Sequence, residues 1–79
     1  MFSEEIFARR LAALRSSKRL TQQQLAEVLG ITKAAVGNLE HGRKKLSIEV
    51  AYALADYFGV SLDYLCGRSD EPSMPKDLR

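Results

Sequence analysis

Apolar side chains recur along this chain at helical spacing. Phe7, Leu11 and Leu14 stand at i, i+4 and i+7, one stripe of a helix that opens at Ser3 and runs to about Ser17. Ile6 lies beside that stripe, and Glu4 and Glu5 complement the helix dipole at its start. Leu25 and Leu29, four apart, give a second helix its inner face; Val36 and Leu39, three apart, do the same for a third. Ala26 is small where those two helices must cross closely. A fourth helix presents Ile48, Ala51, Leu54, Ala55 and Phe58 inward, and a short fifth presents Leu62 and Leu65. The punctuation agrees with the pattern. Thr21, with Gln24 three residues later, forms a capping box, and Leu20 is placed to staple the entry. Thr32, Ser47 and Ser61 are caps for the later helices, while Gly30, Gly42, Gly59 and Gly67 are their stops. The third helix is expected from about Lys33 to His41 and the fourth to about Phe58. No stretch alternates at the period of a strand, so the chain is expected to be all-α.

Seventy-nine residues suit one small domain, whose core is marginal unless its helices pack well or the chain dimerises. The expected domain covers residues 3–67. Residues 68–79, RSDEPSMPKDLR, hold both prolines and little to bury, and read as a flexible tail. Apolar runs are too short to span a membrane, and MFSEEIFARR lacks the apolar segment of a signal peptide. The one cysteine, Cys66, has no cysteine or histidine at metal-ligand spacing, which fits a reducing cytoplasm and no bound metal. One histidine and one cysteine on different helices make no catalytic pair, and there is no glycine-rich phosphate loop. The sequence therefore offers no catalytic residue, cofactor site or evident small-molecule site.

Net charge is only +2, so distribution matters more than the total. Arg9, Arg10, Arg15, Lys18 and Arg19 precede the second helix; Lys33, Arg43, Lys44 and Lys45 lie in or just after the third. Glu49, Asp56, Asp63, Asp70 and Glu71 follow. One end should be basic and the other acidic. Between the basic clusters lies QQQLAEVLGITKAAVGNLEH, two short helices joined at Gly30. That stretch looks like a helix-turn-helix, which inserts its second helix into the DNA major groove. With LTQQQLAEVLGIT before and VGNLEHGRKKLSIEVAYALADYFGVSLDYLCG after, residues from about Phe7 to Gly67 resemble the DNA-binding domain of the lambdoid phage repressor and Cro family, which is widespread among bacterial regulators.

The resemblance implies a five-helix, repressor-like domain and a set of site residues. Thr32, Lys33, Ala34, Gly37 and Asn38, opposite Val36 and Leu39, match the family's base-facing positions. Their chemistry fits: Lys33 can donate to guanine, Asn38 can pair bidentately with adenine, and Ala34 can touch a thymine methyl. Gly37 departs from relatives that carry a polar side chain there. Gln22 matches a glutamine that donates to a phosphate. Gln23 beside it joins the phosphate set, with a merely solvated side chain as the alternative. Arg43, Lys44 and Lys45 follow where the family's loop tracks the DNA backbone. Arg15 and Glu40 match an ion pair that ties the first helix to the third. The family commonly dimerises through the loop before the fifth helix and that helix itself. Leu62 and Leu65 are expected in the core, leaving Tyr64, with Tyr57 or Cys66, for a second copy. The expected function is a sequence-specific transcriptional regulator, a repressor on a palindromic operator in double-stranded DNA, acting as a homodimer. The competing reading is an antitoxin or adaptor that binds a protein through its tail and DNA only to regulate itself.

Overall fold

The apolar stripes build five helices: α1 (Glu4–Ser17), α2 (Gln22–Leu29), α3 (Lys33–Glu40), α4 (Ile48–Phe58) and α5 (Leu62–Leu65). They are seen in a computed structural model that describes residues 3–43 and 46–73; Lys44, Lys45 and the end of the tail lie outside the described residues. Each helix opens at the serine or threonine expected to cap it. Ser3, Thr21, Thr32, Ser47 and Ser61 all accept from the backbone N–H three residues on, and Thr21 with Gln24 forms both halves of a capping box. Every cap follows an apolar residue: Phe2, which lies outside the described residues, before Ser3, and four described ones, Leu20, Ile31, Leu46 and Val60. All four pack into or against the core that also holds Leu25, Val36 and Leu65. That is the placement of a hydrophobic staple, and it sets the angle at which the chain enters each helix.

The core is Phe7, Leu11, Leu25, Ala26, Val36, Leu39, Leu54, Ala55, Val60 and Leu65. Leu11, Leu25, Val36, Leu54 and Leu65 are fully enclosed, one from each helix. α2 packs on α3, α1 on α3 and α5, and α4 on α5 and α2. Ala26 is enclosed within the same cluster, as a small residue at a close crossing should be. The turn from α2 to α3 is short because Gly30 adopts φ 70°, ψ 30°, and the Ile31 N–H closes it on the Ala26 carbonyl at 3.0 Å. Among the described residues there is no strand, and no helix is long and apolar enough to cross a membrane.

Four details depart from the pattern reading. Ile48, expected in the inner face of α4, is 74% exposed. It is the first residue of that helix; packing against the core begins at Val50 and full burial at Ala51. Tyr52, one turn further, is also open, so α4 carries an exposed apolar pair. α3 ends at Glu40 with His41 as its cap, one residue short of the expected end. The described part of the tail, residues 68–73, lies against the helices. Arg68 and Ser69 N–H groups donate to the Asp63 carbonyl at 2.8 and 3.2 Å, and the Ser61 N–H donates to the Pro72 carbonyl at 2.9 Å. Hydrogen bonds hold it rather than buried apolar side chains, which is why the apolar pattern is silent about it.

The link between α1 and α2 contains a residue under strain. Arg19 adopts φ 57° without being glycine. The turn is closed by the Leu20 N–H on the Arg15 carbonyl at 3.2 Å, and an L side chain in this left-handed conformation costs about 1–2 kcal/mol. Arg19→Gly should therefore raise stability by about 1 kcal/mol. Chemical denaturation of the two proteins measures it, and a loss of stability would show that the Arg19 side chain contributes more than its backbone costs.

Candidate nucleic-acid interface

α3 buries Ala35, Val36 and Leu39 and turns its other side outward. Thr32, Lys33 and Ala34 are exposed, and Gly37 and Asn38 are half-buried. The five residues expected to meet bases therefore lie on the outer part of one short helix. Each keeps chemistry to offer. Thr32 Oγ1 accepts from the Ala35 N–H at 3.0 Å, which occupies its oxygen but leaves its hydroxyl hydrogen to donate. Ala34 presents a methyl group. The Asn38 carbonyl receives the Arg43 N–H at 2.9 Å, so the chain turns back after α3 and starts the basic loop beside it. Arg43 itself is exposed. Lys44 and Lys45, assigned to the same phosphate-binding loop, lie outside the described residues.

What fixes the direction of α3 is a cluster around Glu40. Arg15 Nε donates to Glu40 Oε2 at 2.6 Å, and Arg15 Nη2 to Oε1 at 3.1 Å. Arg15 Nη1 donates to the Leu20 carbonyl at 2.8 Å. Gln22 Nε2 adds a third donor to Glu40, at 3.1 Å. The carboxylate is 6% exposed and the guanidinium 20%. Its hydrogen bonds to Glu40 hold the Arg15 guanidinium protonated, raising its pKa further above the ordinary arginine value. A planar guanidinium suits this two-point contact as a lysine would not. One side chain thus joins α1, the turn before α2 and the end of α3.

Gln22 was assigned to phosphate from the sequence, and its environment adds a role. A carboxylate only accepts, so the Gln22 amide must turn its nitrogen to Glu40. The second hydrogen of Nε2 remains for a phosphate. A Cβ built on Gly37 would stand 3.8 Å from Gln22 Oε1, an ordinary contact. Glycine is thus not imposed by crowding at that position; its effect is to leave the surface of α3 bare beside Gln22. Gln23 is exposed, and its Nε2 points along α2 to Glu27 Oε2 at 3.3 Å.

The residues assigned to a dimer contact are less free than the sequence implied. Tyr64 is half-buried against the core, with the Arg10 guanidinium 4.1 Å from its ring centroid. Tyr57 is 37% exposed, meets Phe58 edge to face at 5.1 Å, and has the Lys18 ammonium 5.4 Å from its ring. Cys66 is half-buried, and burial, with the Asp63 charge, pushes its thiol pKa up, so it stays protonated. Sequence periodicity missed Arg10 because its role is to meet backbone carbonyls, which leave no trace in a sequence.

The architecture is that of a helix-turn-helix domain, with α2 and α3 as the motif and α1, α4 and α5 as its support. The helix-turn-helix family model matches residues 11–65, and the chain belongs to that family. It is 39% identical over 67 residues to the transcriptional regulator YobD of Bacillus subtilis, covering 85% of this chain and 60% of that protein. It is similar in structure to the restriction-modification controller protein C.AhdI of Aeromonas hydrophila, at TM-score 0.71 and 31% identity, over 78% of this chain and 94% of that one. A transcriptional regulator from Listeria innocua superposes at TM-score 0.75 and 35% identity, over 91% of this chain and 65% of that one. The chain spans 53–60% of the length of several Bacillus subtilis regulators it matches.

Removing Arg15 strands the more buried partner. Arg15→Met should cost about 3 kcal/mol, near the lower end for a broken buried pair. Glu40→Leu should cost less, because Arg15 keeps the Leu20 carbonyl and more solvent. The double variant should recover part of the Arg15→Met loss. Thermal melts of the three variants read this, and two single variants melting with wild type would refute a stabilising pair.

Proposed function

We propose that this chain is a sequence-specific DNA-binding transcriptional regulator that acts in the cytoplasm as a homodimer, most simply as a repressor that occludes a promoter. The observation that carries the reading is the pose of α3. Its inner side is locked by Val36, Leu39 and the Arg15–Glu40 pair, and its outer side offers Lys33, Ala34 and Asn38. A rigid helix presenting short polar and apolar groups is what major-groove reading needs. The family membership and the relatives described as regulators support the same reading.

Affinity and specificity divide between two regions. Phosphate contacts fall to Gln22, steadied by Glu40, and to the basic loop that begins at Arg43; Gln23 lies beside them. Base contacts fall to the outer side of α3. With Gly37 bare, fewer side chains read bases, and DNA shape contributes more of the discrimination. One short helix reads too few base pairs to select one genomic site, so a two-fold pair on a palindrome is the economical arrangement. The contact assigned to that pair is the C-terminal end of the domain, with Tyr64, Tyr57 and Cys66. Its small extent suits a dimer completed on DNA.

Two substitutions separate these roles. Asn38→Ala should lose about 1–3 kcal/mol against the preferred sequence and little against random duplex. Arg43→Ala should weaken all duplexes alike and flatten the salt dependence by about one phosphate. Titrations of both variants on selected and random DNA at several salt concentrations measure this. Equal loss on both DNAs for Asn38→Ala would remove it from the recognition surface.

A further inference from the structure

Arg10 is tied down more heavily than its place on the outer side of α1 requires. Its Nη1 donates to the carbonyls of Tyr64 and Ser69, the latter at 2.7 Å, and its Nη2 to Asp70 Oδ1 at 2.9 Å. The same guanidinium lies over the Tyr64 ring. One cation therefore joins α1, the last turn of the domain and residues 68–73. The far end of that segment is fastened too, by the Ser61 N–H on the Pro72 carbonyl at 2.9 Å. The return is possible because Gly67 adopts φ 84°, and a Cβ there would fall 3.1 Å from Ile6 Cγ2, tighter than that packed side chain accommodates easily.

The strap is held by hydrogen bonds rather than by apolar packing. Arg68, Asp70, Glu71, Pro72 and Ser73 are all exposed, so it buries little apolar surface. The Asp70 carboxylate is fully in solvent, where an ion pair contributes little. Of its side-chain hydrogen bonds, only the one from Arg10 to the Ser69 carbonyl is partly buried; a segment fastened by a few hydrogen bonds and little apolar packing opens below the global stability. Beneath the strap lie α5 and Tyr64, whose ring face is taken by Arg10. A second aromatic or aliphatic side chain cannot pack on that face while the guanidinium remains.

We propose that residues 68–73 form a strap, held by Arg10, that occupies the edge of α5 in the isolated chain and is displaced when a second copy docks there. The inference rests on the homodimer reading above and adds its control: the Arg10 contacts set how readily the chain self-associates. Off DNA the strap keeps the chain monomeric. On an operator, two copies held side by side supply the effective concentration that displaces it.

The test uses the full chain and two variants. Arg10→Met removes the clamp, and Asp70→Arg repels it while leaving α1 and α5 intact. Strap docking is read from hydrogen exchange at the Ser61 amide, and self-association from sedimentation equilibrium. Both variants should speed Ser61 exchange and tighten the dimer by about fivefold or more. Where the two differ in exchange, Arg10→Met decides, because Asp70→Arg leaves the Arg10 bonds to the Tyr64 and Ser69 carbonyls in place; where they differ in association, Asp70→Arg decides, since it does not alter the surface being uncovered. Unchanged Ser61 exchange would show that Arg10 does not hold the strap. Faster exchange with equal or weaker association would show that the strap does not compete with a second copy. Stoichiometry on a selected duplex separates the two ideas. Two copies bound without tightened association overturn the strap alone; a single monomer bound by every variant overturns the dimer, and the strap's role with it.

Discussion

The contact between Arg15 and Glu40 is the constraint on which the reading surface depends. α2 and α3 are eight residues each, too short to persist alone in water. Apolar packing holds them in place, α2 on α3 and α4, and α3 on α1, but a stripe of Val36 and Leu39 tolerates some rotation about the α3 axis. A guanidinium that meets both carboxylate oxygens does not. By also donating to the Leu20 carbonyl, Arg15 fixes α3 relative to the entrance of α2. Gln22 extends the same cluster to the first residue of α2. The side chain proposed to hold a phosphate and the helix proposed to read bases are thus referred to one buried carboxylate. Such preorganisation lets a small surface discriminate, because less ordering is left to binding.

That arrangement also reconciles a low net charge with binding to a polyanion. A formal charge of +2 is little for a nucleic-acid partner. Charges on this chain divide by task. Arg15 is consumed inside the fold, Arg10 by the strap, and Lys18 lies over Tyr57. Of the other described cations, Lys33 and Arg43 stand exposed on and just after α3, where phosphate contact is proposed, while Arg9, Arg19 and Arg68 are exposed elsewhere. Counterion release depends on charges at the contact rather than on the total.

Much of the fold was legible because its determinants are local and repeated. A serine or threonine cap follows an apolar residue at all five helix starts, and at the four whose apolar residue is described it packs in or against the core, so propensity, capping and core placement agree. The outer side of α3 could be read from the same 3.6-residue period that located Val36 and Leu39. What the pattern leaves out lies where that local logic ends. Ile48 has the right type and spacing for the core, yet at the first position of α4 it stays exposed while Val50 and Ala51 turn inward. Arg19 occupies a left-handed turn that sequence rules reserve for glycine. The strap is invisible to periodicity because its partners are carbonyl groups and one arginine. Tyr64 had the composition of a free interface residue, and only coordinates show Arg10 across its ring.

In-vitro selection of bound duplexes from a random pool, followed by footprinting, tests the central claim most directly. An α3 held in a fixed pose and presented twice by a two-fold dimer should enrich a palindrome. Its half-sites should lie about one helical turn apart, protected on the major-groove side. Recovery of no enriched sequence, or of one asymmetric site occupied by a single chain, would contradict the account.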